Sequence, residues 1–276
     1  MNSQRIMLKI LIGIFSLTNL LILEAETKEE KISTLLMVTG ITEQTRSIPS
    51  LINAMLMQQG HFFSSDQQVK ILQILMKNFS EINFNLSISK EVLNNFNMEY
   101  CDRILHTYND KLFIKITESE VYSSNSDALP EIQTFDYSLV SESRYKIIED
   151  YLSTSDSIKN QEIIALSSIE AFFNIFNLFL PMDKKINDEQ LRSVLSQTKT
   201  RIYSPQQIEA IKKQYAFTYR DYDDGELVKY LNYYQSDEMM WLMNQFQKGL
   251  LDGYKLSMTN TALQIISEFN LQSNHI

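Results

Sequence analysis

The chain predicts an all-α fold, and three observations carry that expectation. Its 276 residues include only six glycines and four prolines. That is too few for a many-turned β fold and suits long helices joined by short loops. Apolar residues recur at spacings of three and four along most of the chain, as helices with one buried stripe require. Ser, Thr, Asp or Asn stands before most of these runs, where free amides at a helix start need acceptors. Roughly ten helices in two related halves are expected, with ample length to bury a core.

Residues 1–25 read as an export signal. Arg5 and Lys9 form a basic start, Ile10 to Leu23 is mostly apolar, and Leu23-Glu24-Ala25 offers cleavage after Ala25. The run is shorter than the ~20 residues of a membrane span. The chain is therefore expected in the periplasm or cell exterior. Removing these residues takes away Arg5, Lys9 and Glu24, which leaves 23 basic and 33 acidic side chains, a net charge of −10. Such a chain is repelled by phosphate backbones, so nucleic acid is not an expected partner. Cys101 is alone, so no intramolecular disulfide forms and packing must supply stability.

The N-terminal half is expected over residues 26–121. Ile32, Leu35, Leu36 and Val38 make an amphipathic helix stopped near Gly40. Thr42 caps a second, with Ile48, Leu51, Ile52, Met55 and Leu56 inward and a kink or fresh start at Pro49. Ser64-Ser65-Asp66 opens a third, with Gln67 and Gln68 placed for a capping box. Glu81 to Ser89 reads as a loop or short turn, after which Ser89 caps a short helix carrying Val92, Leu93 and Phe96. Cys101 to Glu120 completes the half. The polar residues 121–129 are the linker.

The C-terminal half is expected over residues 130–272. Pro130 fits a first helical turn, and Ser143 caps Arg144 to Leu152. Ile163 to Leu180 is strongly apolar, but Ser167, Glu170, Asn174 and Asn177 are spaced 3, 4 and 3 and form one solvent-facing stripe. It reads as a central helix, and no stable membrane span is expected in the mature chain. Asp188 caps Glu189 to Thr200, and Ser204-Pro205 opens Gln206 to Tyr219. Asp223 and Asp224 precede a run in which Leu227, Tyr230, Leu231 and Tyr234 share one face. Ser236-Asp237 restarts a helix with Met239, Met240, Trp241, Met243, Phe246, Leu250 and Leu251. Gly249 and Gly253 mark weak points or its end, and Thr259 to Phe269 is a separate last helix.

The run Glu226-Leu227-Val228-Lys229-Tyr230-Leu231-Asn232-Tyr233-Tyr234-Gln235-Ser236 resembles the DUF2059 family of bacterial envelope proteins. That family shows an acidic-Leu start, an aromatic pair, one variable residue and Ser-Pro-x-Gly. Here Asp237 stands in place of the Pro and Met239 in place of the Gly. The resemblance implies a helical fold and an envelope location; the family has no established activity. A displacement of 126 residues sets a degenerate first copy against this run. It pairs Cys101 with Leu227, Arg103 with Lys229, Leu105 with Leu231, Tyr108 with Tyr234 and Asp110 with Ser236.

No catalytic constellation stands out. His61, His106 and His275 are far apart and lack metal-ligand spacing. Cys101 and His106, five residues apart on one helix, point away from each other. Asp221, Asp223, Asp224 and Glu226 do not match a calcium loop, because counting back from Gly225 places Arg220 and Tyr222 at ligand positions. They read as a helix N-terminus. No GxGxxG, Walker A or GxSxG sequence occurs, so neither cofactor nor metal nor enzymatic activity is expected. Tyr230 and Tyr234 read as core, whereas Tyr222 and Tyr233 are the candidates for an interaction surface. The expected function is a non-enzymatic interaction or structural module of the cell envelope, whose partner is another envelope protein. The alternative is a binding protein for an apolar or lipid-like molecule between helices, which needs a cavity on the order of several hundred Å³.

Overall fold

A computed structural model describes residues 27–58, 63–154 and 157–271. The expected export signal, His61 and His275 lie outside them, as do the side chains of Met55 and Leu56. Every regular element among the described residues is helical, so the all-α expectation is met. The elements are α1 (Lys28–Val38), α2 (Ile41–Gln58), α3 (Ser65–Asn78), α4 (Glu81–Asn94), α5 (Met98–Thr107), α6 (Lys111–Ser123), α7 (Leu129–Thr134), α8 (Glu142–Thr154), α9 (Ser157–Asn177), α10 (Asp188–Ile202), α11 (Pro205–Thr218), α12 (Asp224–Tyr233) and α13 (Asp237–Glu268). No helix among the described residues is long and apolar enough to cross a membrane.

Local chemistry sets most helix starts. Reciprocal capping boxes pair Thr27 with Glu30, Ser64 with Gln67, Asn187 with Gln190 and Asp223 with Glu226. Each satisfies two backbone amides that the helix itself leaves unbonded. Single caps come from Ser80, Asn97, Asp110, Ser204 and Ser236. Thr42 and Ser89, expected as caps, lie inside α2 and α4, and two other caps differ from expectation by one or two residues. The Ser141 hydroxyl accepts from the Arg144 amide, which frees Ser143 to donate to Asp224. Asn187, rather than Asp188, caps α10.

The spine is α13, a single 32-residue helix. Sequence periodicity divided it into two, with breaks at Gly249 and Gly253, since glycine in a helix costs about 1 kcal/mol relative to alanine. Packing overrides that preference here. Gly249 lies against the backbone of Ile88 and Gly253 against the ring of Phe84, so the two glycines let α4 approach closely. One turn further on, Ser257 donates to the Asn78 carbonyl at 2.8 Å. The same contact corrects the reading of residues 81–89 as a loop. They begin α4, because Phe84, Ile88 and Val92 form a fully buried stripe facing this seam. Pro49 likewise sits inside one unbroken α2, flanked by buried Ile48 and Ile52.

Around this spine α13 packs on α3, α4, α5 and α9, and α9 also meets α2 and α10. Along α9 the expected polar stripe holds: Glu170 and Asn174 are exposed, while Asn177 bonds the Ile186 backbone. Ser168, off that stripe, is buried and meets the Tyr254 hydroxyl at 2.7 Å.

Several features recur at a displacement of 126. Helix α5 (Met98–Thr107) maps onto α12 (Asp224–Tyr233) end for end, and the caps Asn97 and Asp110 map onto Asp223 and Ser236. Helix α1 packs on α4 and α5, as α8 packs on α11 and α12. A cation from α1 or α8 holds the start of the fifth helix in each set. Lys31 reaches Met98 and Asp102, and Arg144 reaches Asp224.

Candidate functional site

The four positions Phe113, Ile116, Thr117 and Glu120 follow i, i+3, i+4, i+7 spacing and so share one face of α6. The first three are buried. Glu120, itself half-buried, carries the stripe to its end with a carboxylate. The Tyr219 hydroxyl donates to Glu120 Oε1 at 2.6 Å, and the Tyr230 hydroxyl donates to Oε2 at 2.9 Å. Tyr230 in turn meets the Tyr234 hydroxyl at 3.1 Å. Rings extend the cluster, with Tyr219 against Tyr215 and Tyr230, and Tyr151 against Tyr215 and Tyr234. Four helices and two turns thus converge on one side chain.

Burial governs the ionisation here. It pushes the Glu120 carboxyl up to about 7, outweighing the two tyrosine hydrogen bonds that favour the charged form. The tyrosines move upward too: Tyr215 to about 12, and Tyr219, Tyr230 and Tyr234 well above the usual value. Desolvation leads in each case, and the negative charge on Glu120 adds to it. All remain neutral donors at any physiological pH, so Glu120 is the group in the cluster that titrates there.

Arg144 secures the turn that carries Tyr219 and Tyr222. Its Nε donates to Asp224 Oδ1 at 2.6 Å, Nη1 to the Tyr219 carbonyl at 2.7 Å, and Nη2 to the Tyr222 carbonyl. Hydrogen bonding to Arg144 and Ser143 holds the Asp224 carboxyl below its usual range. The acidic cluster is thus a helix start, with Asp223 as its cap. Among the described residues no group of three or more His, Cys, Asp and Glu could hold a metal ion.

The two tyrosines singled out from sequence have different settings. Tyr222 is partly buried, and its hydroxyl meets Ser119 Oγ at 2.8 Å, which ties it to α6 beside Glu120. Tyr233 packs its ring on Phe113, at 5.3 Å between centroids, and on Tyr108. It also lines an open groove with His106, Asp110, Lys229, Asn232 and Ser236. Three pairs in this groove, His106 with Asn232, Thr107 with Tyr233 and Asp110 with Ser236, are again 126 residues apart. Cys101 is fully buried, and burial pushes its thiol up to about 11, which makes it a packing residue rather than a nucleophile. An apolar cavity between Ile52, Phe63, Ile71, Phe172 and Phe176 encloses about 10 Å³, room for about one water molecule.

Sequence reasoning missed Glu120. It registered only as the end of the run Lys115-Ile116-Thr117-x-x-Glu120, which resembles a pattern of two-copy DUF2059 members, with no role attached. The available signal was its place on the Phe113–Ile116–Thr117 stripe, a carboxylate where a buried residue belongs. No family model, curated protein or solved structure matches the chain.

Proposed function

We propose that this chain is a non-enzymatic structural or interaction module of the bacterial cell envelope, related to the DUF2059 family and built from two copies of a six-helix unit. One copy comprises α1 to α6, the other α8 to α13; α7 stands between them, and the expected linker 121–129 shortens because α6 runs on to Ser123. The observation that carries the reading is an exchange of last helices: α6 packs on α11 of the second copy, and α13 packs on α3, α4 and α5 of the first. Each copy completes the other, so the chain behaves as one interlocked body. Corresponding helices have similar lengths: 18 and 21 residues for α2 and α9, 14 and 15 for α3 and α10, 14 each for α4 and α11, and 10 each for α5 and α12. The polar groups with shifted ionisation hold helices together, which suits a structural role. The groove beside Tyr233 is the surface on which this reading places a partner.

The test is expression of the full chain in a Gram-negative host, followed by cell fractionation and intact-mass analysis. A periplasmic product whose mass begins at Glu26 is the expected result. A cytoplasmic product that keeps residues 1–25 overturns the envelope assignment. Capture of envelope proteins by the purified chain, with Tyr233→Ala as the control, then tests the groove: a specific partner must be lost with the substitution.

A further inference from the structure

The contact between α6 and the α11–α12 pair contains a single carboxylate with no cation beside it. Its two hydrogen bonds come from neutral hydroxyls, those of Tyr219 and Tyr230. The other ionisable groups near enough to feel its charge are Tyr108 at the end of α5, Tyr215 on α11, Tyr222 in the turn before α12 and Tyr234 at the end of α12. Tyr151 on α8 packs edge-to-face behind Tyr215 and Tyr234. Four of the cations on these elements are bound elsewhere, Arg144 to Asp224, Lys212 to Glu149, Lys229 to Asp110 and Arg220 to Glu131, and no cation bears on the Glu120 ionisation. Nothing within the cluster compensates a negative charge except the two hydroxyl dipoles.

From this geometry we infer that Glu120 makes the α6 seam a proton-operated latch, closed when the carboxyl is neutral and loosened when it ionises. The ionised carboxylate is drawn towards water, and because Glu120 is half-buried, loosening of α6 against α11 and α12 is what exposes it further. The upward shift of Glu120 into the neutral range places the transition within physiological pH. The α4–α13 seam has no counterpart. Under the displacement of 126, Glu120 corresponds to Phe246, which is fully buried, so loosening is confined to one side of the molecule. The inference is independent of the envelope reading and rests on the seam alone.

Hydrogen–deuterium exchange on the full chain tests it, run from about pH 5.5 to about 8.5 and corrected for intrinsic exchange. Protection of residues 111–123 and of α12 should fall about tenfold or more over that range, while α4 and the middle of α13 hold steady. In Glu120→Gln, which keeps the shape and cannot ionise, the fall should vanish. A wild-type seam whose protection ignores pH overturns the latch, as does an equal pH dependence in the variant. A ¹³C titration of the Glu120 carboxyl in the wild type decides the matter even if the variant does not fold. A midpoint near neutrality supports the latch, and one at the ordinary glutamate value sinks it.

Discussion

Over their first 13 residues, α6 and α13 bury corresponding positions: Phe113, Ile116 and Thr117 answer to Met239, Leu242 and Met243, and all six are inside. They diverge at the next inward position, where α6 has Glu120 among tyrosines and α13 has Phe246. Helix α6 ends at Ser123, where α13 has Gly249 and continues for 19 more residues, 32 against 13. The long seam is thus closed by close backbone approach and apolar area, both indifferent to pH. The short seam relies on a carboxylate whose contribution depends on a proton. One kind of packing position serves permanence in one case and titratability in the other.

The pH dependence of stability should separate the two seams most clearly. Glu120 has an ordinary value of 4.5 and about 7 in the folded chain, so between them the folded state holds a proton that the unfolded state has released. Its contribution is present in full below 4.5 and is lost as pH rises through 7, about 3 kcal/mol in total. Urea unfolding at several pH values should show this fall in the wild type and its absence in Glu120→Gln. A shared slope in the two proteins would remove the distinction between the seams.

Next in size is the glycine seam. A Cβ at position 249 would lie 2.5 Å from Ile88 Cα, a backbone atom that cannot turn aside. Gly249→Ala should destabilise by about 2 kcal/mol despite its better helix propensity. At Gly253 the obstacle at 2.7 Å is the edge of the Phe84 ring, which can rotate, so Gly253→Ala should cost roughly half as much. Both effects should be the same at about pH 6 and about pH 8. A glycine variant whose cost changes with pH would mean that the seams are coupled.

Removing one hydroxyl from the carboxylate sharpens the comparison further. Tyr230→Phe or Tyr219→Phe should cost about 1 kcal/mol and raise the Glu120 midpoint further, since each hydrogen bond favours the charged form. An NMR titration that moved the other way would contradict the assigned donors. The smallest effect belongs to the exposed Lys229–Asp110 pair. Asp110→Asn keeps the cap on Leu112 and loses only the ion pair, so thermal unfolding should be unchanged within error.

Much of this was legible in the residues. The caps at Ser64, Ser204 and Ser236 declare themselves because the side chain and the amide it accepts from are three residues apart. The polar stripe of α9 and the buried Leu227, Tyr230 and Leu231 follow from helical spacing alone. The site was less legible. Tyr233 stands out on a helix flank and Tyr222 in a turn, but their neighbours Phe113 and Ser119 come from a helix more than a hundred residues earlier. Glu120 could not be placed at all, because its partners Tyr219 and Tyr230 lie 99 and 110 residues away.

By itself, then, the sequence determined the helical class, most helix starts and most of the inward-facing positions, since all three depend on groups within one or two turns; Leu51, Met240 and Leu251, expected inward, are exposed. The tertiary structure decided that α13 runs unbroken through two glycines, that residues 81–89 are helix and that Glu120 is enclosed by tyrosines. These outcomes depend on what packs from across the molecule. A glycine is a weak point or a close contact, and a glutamate a surface charge or a half-buried acid held by tyrosines, according to the neighbour that folding brings to it.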